Sequence, residues 1–331
     1  MLLATAAFLL LARAPGAQAL LPIVDTLYLL LPVLTACFVA GWAAGGPASL
    51  AVVWVILTAV LFIPASSSGG ASYHDLTRAW GLFVAAAFGV LGVAGTKGPL
   101  LRRAFAAVGL AFVGAVVFAG SAAFSLAALG RVFAGEFAAR NAGTAATFAN
   151  WMPVVSARFP AAGDWAAAKS AAMGEASAAL AAPLVPALLV LEAVAACALA
   201  WALYHRLSRT RLGAPLLGLR FFTFGHAPGW ALVAGGLLLL LPALRASDLG
   251  LAGANAVVLS GTLFALRGAG VAAWFLPVRR TAAQIAAWGV GLALAPVTVP
   301  VALGLGLTDS WLDWRGLGRA PSPAASAPTH D

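Results

Sequence analysis

Apolar residues run along this chain in blocks, and the blocks are long. Residues 20–43, 47–63, 78–95, 104–128, 178–203, 229–244, 251–276 and 283–306 each hold at most one charged side chain. A helix needs about 20 mostly apolar residues to cross the hydrocarbon of a bilayer. Backbone in that medium must satisfy its own hydrogen bonds, which a helix does within a single segment. The pattern therefore predicts an all-α fold, a polytopic transmembrane helix bundle of about eight spans. A shorter run at 2–12 is a candidate ninth segment. Arg13 follows that run rather than preceding it, so the start reads as a retained membrane segment and not as a cleaved signal peptide, despite the small residues Ala17 and Ala19.

One long stretch breaks the pattern. Residues 129–177 carry both signs of charge, Trp151 and Trp165, and the breakers Pro153, Pro160 and Gly163. Tryptophan is at home in the headgroup region, which points to two amphipathic pieces on the outer membrane surface, either a lid over a cavity or an interfacial strap. The end of the chain, "APSPAASAPTHD", has the composition of a disordered tail. The expected organisation is one helical domain over 1–315, with 129–177 as its extramembrane insert, followed by a tail at 316–331.

Composition agrees. The 331 residues are 63% hydrophobic and 9% charged, against about a quarter charged in soluble domains. A net charge of +9 would suggest nucleic acid in a soluble protein. Here the basic residues sit in short loops instead. Loop 96–103 holds Lys97, Arg102 and Arg103; loop 204–228 holds Arg206, Arg209, Arg211 and Arg220; loop 277–282 holds Arg279 and Arg280, and none of the three holds an acid. Strict alternation of eight spans puts all three on one side, which the positive-inside rule makes cytoplasmic. The expectation is a multi-pass protein of the cell (cytoplasmic) membrane with no nucleic-acid partner. Its loop "HRLSRTRLG" would meet anionic lipid headgroups through Arg206, Arg209 and Arg211.

Catalytic motifs are missing. There is no HExxH, Walker loop or GxSxG, and His74, His205, His226 and His330 lack metal-ligand spacing. Cys37 and Cys197 fall in separate apolar runs and read as small packing residues. No catalytic, metal or cofactor site is expected, and the chain does not read as an enzyme. What remains is a short list of polar groups at or near membrane depth: Glu192 and Arg267 first, then Asp25, Asn255 and His226. An ionisable residue inside a span is a functional candidate by default. Counted from the inner helix ends near Leu203 and Leu276, Glu192 and Arg267 lie roughly 16 and 14 Å deep at about 1.5 Å per residue. They are expected to pair, as a structural ion pair or a ligand contact. The segment "TDSWLDWRGLGR" is expected as an interfacial helix, with Asp309 and Asp313 on one face and Trp311 and Trp314 at the headgroups.

Several stretches of the second half carry a resemblance: "LYHRLSRTRLG" (203–213), "LRFFTFGHAPGW" (219–230), "LFALRGAGVAAWFL" (263–276) and "GLTDSWLDWRGLGR" (306–319). In this order they resemble the YybS-like family of predicted bacterial integral membrane proteins, a family without an assigned activity, over roughly residues 178–319. Tyr204-His205-Arg206 and the segment from Asp309 to Arg315 carry most of it. Around His226 the chain departs from the family, because Gly225 stands where an acid or amide is expected and Pro228-Gly229 lengthen the gap to Trp230. The family is grouped loosely with the substrate-binding components of energy-coupling-factor transporters. That resemblance implies a compact helical bundle with a ligand cavity, binding or passing a small-molecule substrate and energised by a cytoplasmic partner. The alternative is a membrane scaffold that recruits cell-envelope or division partners through its basic cytoplasmic loops. A polar pocket opening outward would mark the first; solid packing would mark the second.

Overall fold

The computed structural model describes residues 21–62, 73–94, 98–121, 132–140, 160–208, 212–245, 247–276 and 294–317, with short helical pieces at 142–143, 153–154, 157–158 and within 283–291. For 118–121, 160–182 and 317 only the backbone is described. The run at 2–12 and the tail beyond 317 lie outside the described residues, as do Arg209 and Arg211.

All regular structure among the described residues is helical. The elements are α1 (Leu27–Ala43), α2 (Ala48–Phe62), α3 (Tyr73–Val93), α4 (Leu100–Ser121), α5 (132–140), α6 (Pro160–Leu207), α7 (Ala227–Leu240), α8 (Pro242–Arg245), α9 (Asp248–Phe275), α10 (Ala295–Leu312) and α11 (Trp314–Leu317). A 3-10 turn at Leu219–Phe221 precedes α7. Four helical segments are long and apolar enough to cross a membrane: Tyr73–Val93, Leu100–Val117, Pro183–Leu207 and Asp248–Phe275. α1, α2 and α7 are apolar but shorter. The protein is an integral membrane protein built from these helices. The second half of the expected surface insert is not a separate piece, because α6 starts at Pro160 and continues unbroken into the span.

The chain packs as two compact units, Met1–Leu216 and Leu217–Asp331, a finer division than a single domain over 1–315. In the first unit α1 is the central helix, with α2, α3 and α6 all packed on it. Its buried stripe of Val33, Leu34, Cys37 and Phe38 meets Val84 and Phe88 of α3 and Cys197, Trp201 and Tyr204 of α6. Both cysteines are buried free thiols in this core. α1 stops in a Schellman arrangement: Gly45, at φ 93°, donates to the Trp42 carbonyl and Gly46 donates to that of Gly41. By contrast, α2 buries only Ala51 and Thr58, and Val52, Ile56 and Val60 are exposed. That is the surface a helix offers to lipid.

At one end of this unit two of the basic loops meet. Arg103, in the first turns of α4, lies over the Trp201 ring at 5.4 Å, and Trp201 Nε1 donates to the Ala214 carbonyl at 3.0 Å. The described parts of the expected loops 96–103 and 204–228 thus meet at one end of the unit, the second as far as Leu216. Arg206 is exposed there.

The second unit packs α7, α10 and the 3-10 turn against α9. The apolar run 283–306 does not form one helix, because α10 begins only at Ala295. Its direction is the consequential difference from the sequence expectation. The offset of 42 positions in the pair Arg267–Asp309 recurs in Gly261–Leu303 and Phe264–Gly306. A constant offset means that α9 and α10 run side by side in the same direction, whereas strict alternation would make them antiparallel. Their closest approach is at Gly268 and Gly306, where a Cβ would collide with the carbonyls of Ala302 and Phe264. Small residues permit this approach, and it is the main source of helix adhesion where lipid is as apolar as the side chains.

Gly268→Ala should therefore cost about 1–3 kcal/mol, the range of an overpacked core. Gly236→Ala, at a glycine with open space around its Cβ position, should be neutral or slightly stabilising. Thermal unfolding of the two variants in detergent checks the contrast; equal melting points would contradict the close crossing.

Candidate functional site

The polar groups of the second unit converge on one carboxylate. Asp309, in the last turn of α10, has a fully buried side chain. Its Oδ2 accepts from Arg267 Nε of α9 at 2.7 Å and from Arg315 Nη2 of α11 at 2.6 Å. Arg267 Nη2 also donates to the Asp309 carbonyl at 3.0 Å, and its Nη1 reaches the Phe224 carbonyl at 3.5 Å. Arg315 Nη1 donates to the carbonyls of Arg220 and Phe222, each at 3.1 Å. The network therefore ties α9, α10 and α11 to the stretch 220–224, which runs out of the 3-10 turn and belongs to no α-helix. Two guanidinium groups on one carboxylate favour its ionised form and leave a net charge of +1. Asp309 Oδ1 is buried and accepts no hydrogen bond among the described residues.

The expected pairing of Arg267 with Glu192 is corrected by this geometry: Asp309 takes the arginine. Under an alternating topology Asp309 falls beyond the last span, far from Arg267. Parallel packing of α9 and α10 brings it alongside. The expected interfacial helix from 308 is corrected as well. α10 continues through Leu312 and breaks at Asp313, which adopts a left-handed conformation with φ 40°. Asp313 is exposed while Asp309 is buried, so the two do not share a face. Trp311 is 79% exposed, and Trp314 turns inward to donate from Nε1 to Thr308 Oγ1 at 3.0 Å.

Glu192 belongs to a second polar cluster, in the first unit. Its Oε2 accepts the Ile23 amide at 3.1 Å, and its Oε1 is buried without a hydrogen-bond partner among the described residues. Tyr73 donates to the Pro22 carbonyl at 2.6 Å and accepts the Val24 amide at 3.2 Å. Arg140 of α5 donates to the carbonyls of Leu21 (2.7 Å) and Pro22 (3.3 Å) and pairs with Glu136 at 2.8 Å. Three side chains thus satisfy the irregular backbone at 21–24 in apolar surroundings formed by Ile23, Phe133, Phe137 and Leu189. Nothing in the sequence pattern marked this role for Glu192, because its partner is a backbone amide.

The remaining candidates disperse. Asp25 is exposed and precedes α1, so it is not at depth in a helix. Asn255 is half-buried and donates to the Leu251 carbonyl of its own helix at 2.9 Å. His226 is exposed at the N-cap of α7 and makes no capping bond with its side chain. Arg206 is exposed at the end of α6. No group of three or more metal-ligating side chains occurs among the described residues.

A cavity lies elsewhere, in the first unit. Both α2 and α3 pack on α1 rather than on each other, and the space between them is a groove of about 670 Å³. α1 contributes Thr35, Ala36 and Val39, α2 contributes Thr58, and α3 contributes residues from Leu82 to Ala94. Among the described residues its hydroxyls are those of Thr35 and Thr58, and both bond within the protein: Thr35 donates to the Trp54 carbonyl at 3.0 Å, and Thr58 Oγ1 lies 2.6 Å from Thr35 Oγ1. A polar pocket is what the solute-binding expectation asks for; this groove is apolar. A second apolar groove of about 600 Å³ lies between α3 and α4 and shares Ala86 and Val90 with the first.

In comparisons with known proteins, no family model, no curated protein and no solved structure matches the chain.

Removing one member of the buried network should be costly. Arg267→Gln and Asp309→Asn should each destabilise by about 3–5 kcal/mol, as expected when a buried pair loses a partner. The double variant should recover part of the loss, with a coupling of roughly 0.5–3 kcal/mol. Denaturation of the four proteins in one detergent measures it, and strictly additive losses would contradict the pairing.

Proposed function

We propose that this protein is a solute-binding subunit of the cell membrane whose ligand is apolar, acting like a transporter's substrate-capture component and without catalytic activity of its own. The observation that carries this reading is the groove between α2 and α3, whose described walls are hydrocarbon apart from two threonine hydroxyls that bond within the protein. Apolar ligands occupy largely pre-formed cavities of a few hundred Å³ or more. The charged side chains at depth bind their own chain, so they give no support to a polar or charged substrate. Exposed Arg102 and Arg206 at one end of the first unit suit a cytoplasmic energising partner. The same residues would serve the alternative reading, a scaffold for envelope or division machinery. The resemblance to the YybS-like family favours the transporter-like reading of the two.

A thermal-shift screen of the purified protein separates them. Lipophilic vitamins and fatty acids should raise the melting temperature in a concentration-dependent way, by about 2.7 kcal/mol of stabilisation at 100 times Kd. Hydrophilic vitamins and metal salts should leave it unchanged. A shift with none would overturn the apolar-ligand reading and leave the scaffold, and a shift with hydrophilic solutes alone would overturn it in favour of a polar solute.

A further inference from the structure

We propose that Glu192 is a site at membrane depth that binds and exchanges one proton. The site is separate from the apolar groove, whose lining on α3 starts at Leu82, and it stands whatever the groove holds. Three observations carry it.

The first is an unused acceptor. Glu192 lies roughly 14 Å into the span Pro183–Leu207 at about 1.5 Å per residue, and it is 5% exposed. Its Oε2 takes the Ile23 amide, whereas its Oε1 is buried with no hydrogen-bond partner among the described residues. The fold uses one oxygen and leaves the other. A metal cation of the hard kind needs several oxygen ligands, and no group of three or more metal-ligating side chains occurs among the described residues. A proton needs only the one oxygen. Carboxyl groups at membrane depth are the usual members of proton relays.

The second is a complementary donor on the same apolar cluster. Val185, Leu189 and Ala196 share a helical stripe with Glu192 on α6 and pack with Ile23, Phe133 and Phe137. Trp80 of α3 packs against this cluster too, and its Nε1 is buried without a partner. An indole N–H can only donate and a carboxylate oxygen can only accept. Water serves both, accepting from Trp80 and passing a proton to Glu192.

The third is charge and access. Near the start of α1 stand exposed Asp25 and Tyr28; α3 brings Tyr73, His74, Asp75 and Arg78 in its first turns, and α5 brings Glu136 and Arg140. Arg78 lies over the Tyr28 ring. Arg103 of α4, with Arg102 next to it in sequence, is at the far end of α6 against Trp201. Arg140 is matched by Glu136 at 2.8 Å, so a proton on Glu192 leaves these three groups without net charge. Tyr73 connects the site to the surface. Its hydroxyl bonds Pro22 and Val24 while Glu192 holds Ile23 between them, and its ring meets the ring of exposed His74 at 5.4 Å. In the other direction α6 continues through buried Ala193, Cys197, Ala200 and Trp201. The proton therefore has its entrance at the Tyr73 end.

The test treats the full-length protein in detergent with N,N′-dicyclohexylcarbodiimide, an apolar reagent. A protonated carboxyl adds its O–H across the carbodiimide C=N bond, and the adduct rearranges to a stable acylurea with no leaving group. Peptide mapping should find that adduct on Glu192. Glu192→Gln, which keeps an acceptor for the Ile23 amide, should lose it. In infrared spectra wild type should show a protonated-carboxyl band that disappears as pH is raised and returns as it is lowered, and Glu192→Gln should lack the band. The infrared titration of wild type decides alone if the reagent fails to enter or the variant fails to fold. A band that never appears, or that persists at every pH at which the protein stays folded, overturns the exchangeable proton. A titrating band of equal size in Glu192→Gln overturns Glu192 as its site. Labelling that sodium chloride suppresses and potassium chloride does not would overturn the proton in favour of a sodium ion.

Discussion

A carboxylate held between two guanidinium groups, Asp309 between Arg267 and Arg315, is the constraint that organises the second unit. A charge in hydrocarbon costs several kcal/mol unless it is paired, so wherever Arg267 lies, its acid must be brought to it. Parallel packing of α9 and α10 does this, and the glycine crossing at Gly268 and Gly306 is what lets the backbones come close enough. The left-handed turn at Asp313 follows from the same demand, since it reverses the chain after α10 and returns Arg315 to the carboxylate. Arg315 then carries the constraint outward, because it satisfies the carbonyls of Arg220 and Phe222 in a stretch outside any α-helix. The first unit answers the same demand with different groups, using Glu192, Tyr73 and Arg140 to cover the backbone at 21–24.

Much of this was legible in the sequence and some was not, for identifiable reasons. Apolar run length located seven of the helices to within a few residues at most ends, because the run length needed for a span leaves little freedom. Arg267 stood out as a charge needing a partner. Its acid was misassigned because the apolar run 283–306 reads as one antiparallel span, and only the break before Ala295 reveals a helix running parallel to α9. Glu192 carried no signal of its partner, since a backbone amide leaves no mark in the residue pattern. The continuity of α6 through 160–177 was hidden by its mixed charges, Trp165 and Gly163, which read as surface sequence rather than as the start of a span.

These assignments alter how the function is approached. The charged residues at depth, which were the natural candidates for a substrate site, are consumed by the fold. The space described as open between helices is hydrocarbon-lined. On the proposed reading recognition takes place on the apolar face of the first unit, while the polar networks hold irregular backbone.

The central claim is that Arg267 is neutralised by Asp309 of a parallel neighbouring helix. A cryo-EM map of the full chain in lipid nanodiscs tests it most directly. The account predicts side-chain density of Arg267 and Arg315 merging on the Asp309 carboxylate, with Gly268 against Gly306. Density showing Arg267 extended toward the headgroups, or α10 running antiparallel to α9, would contradict it.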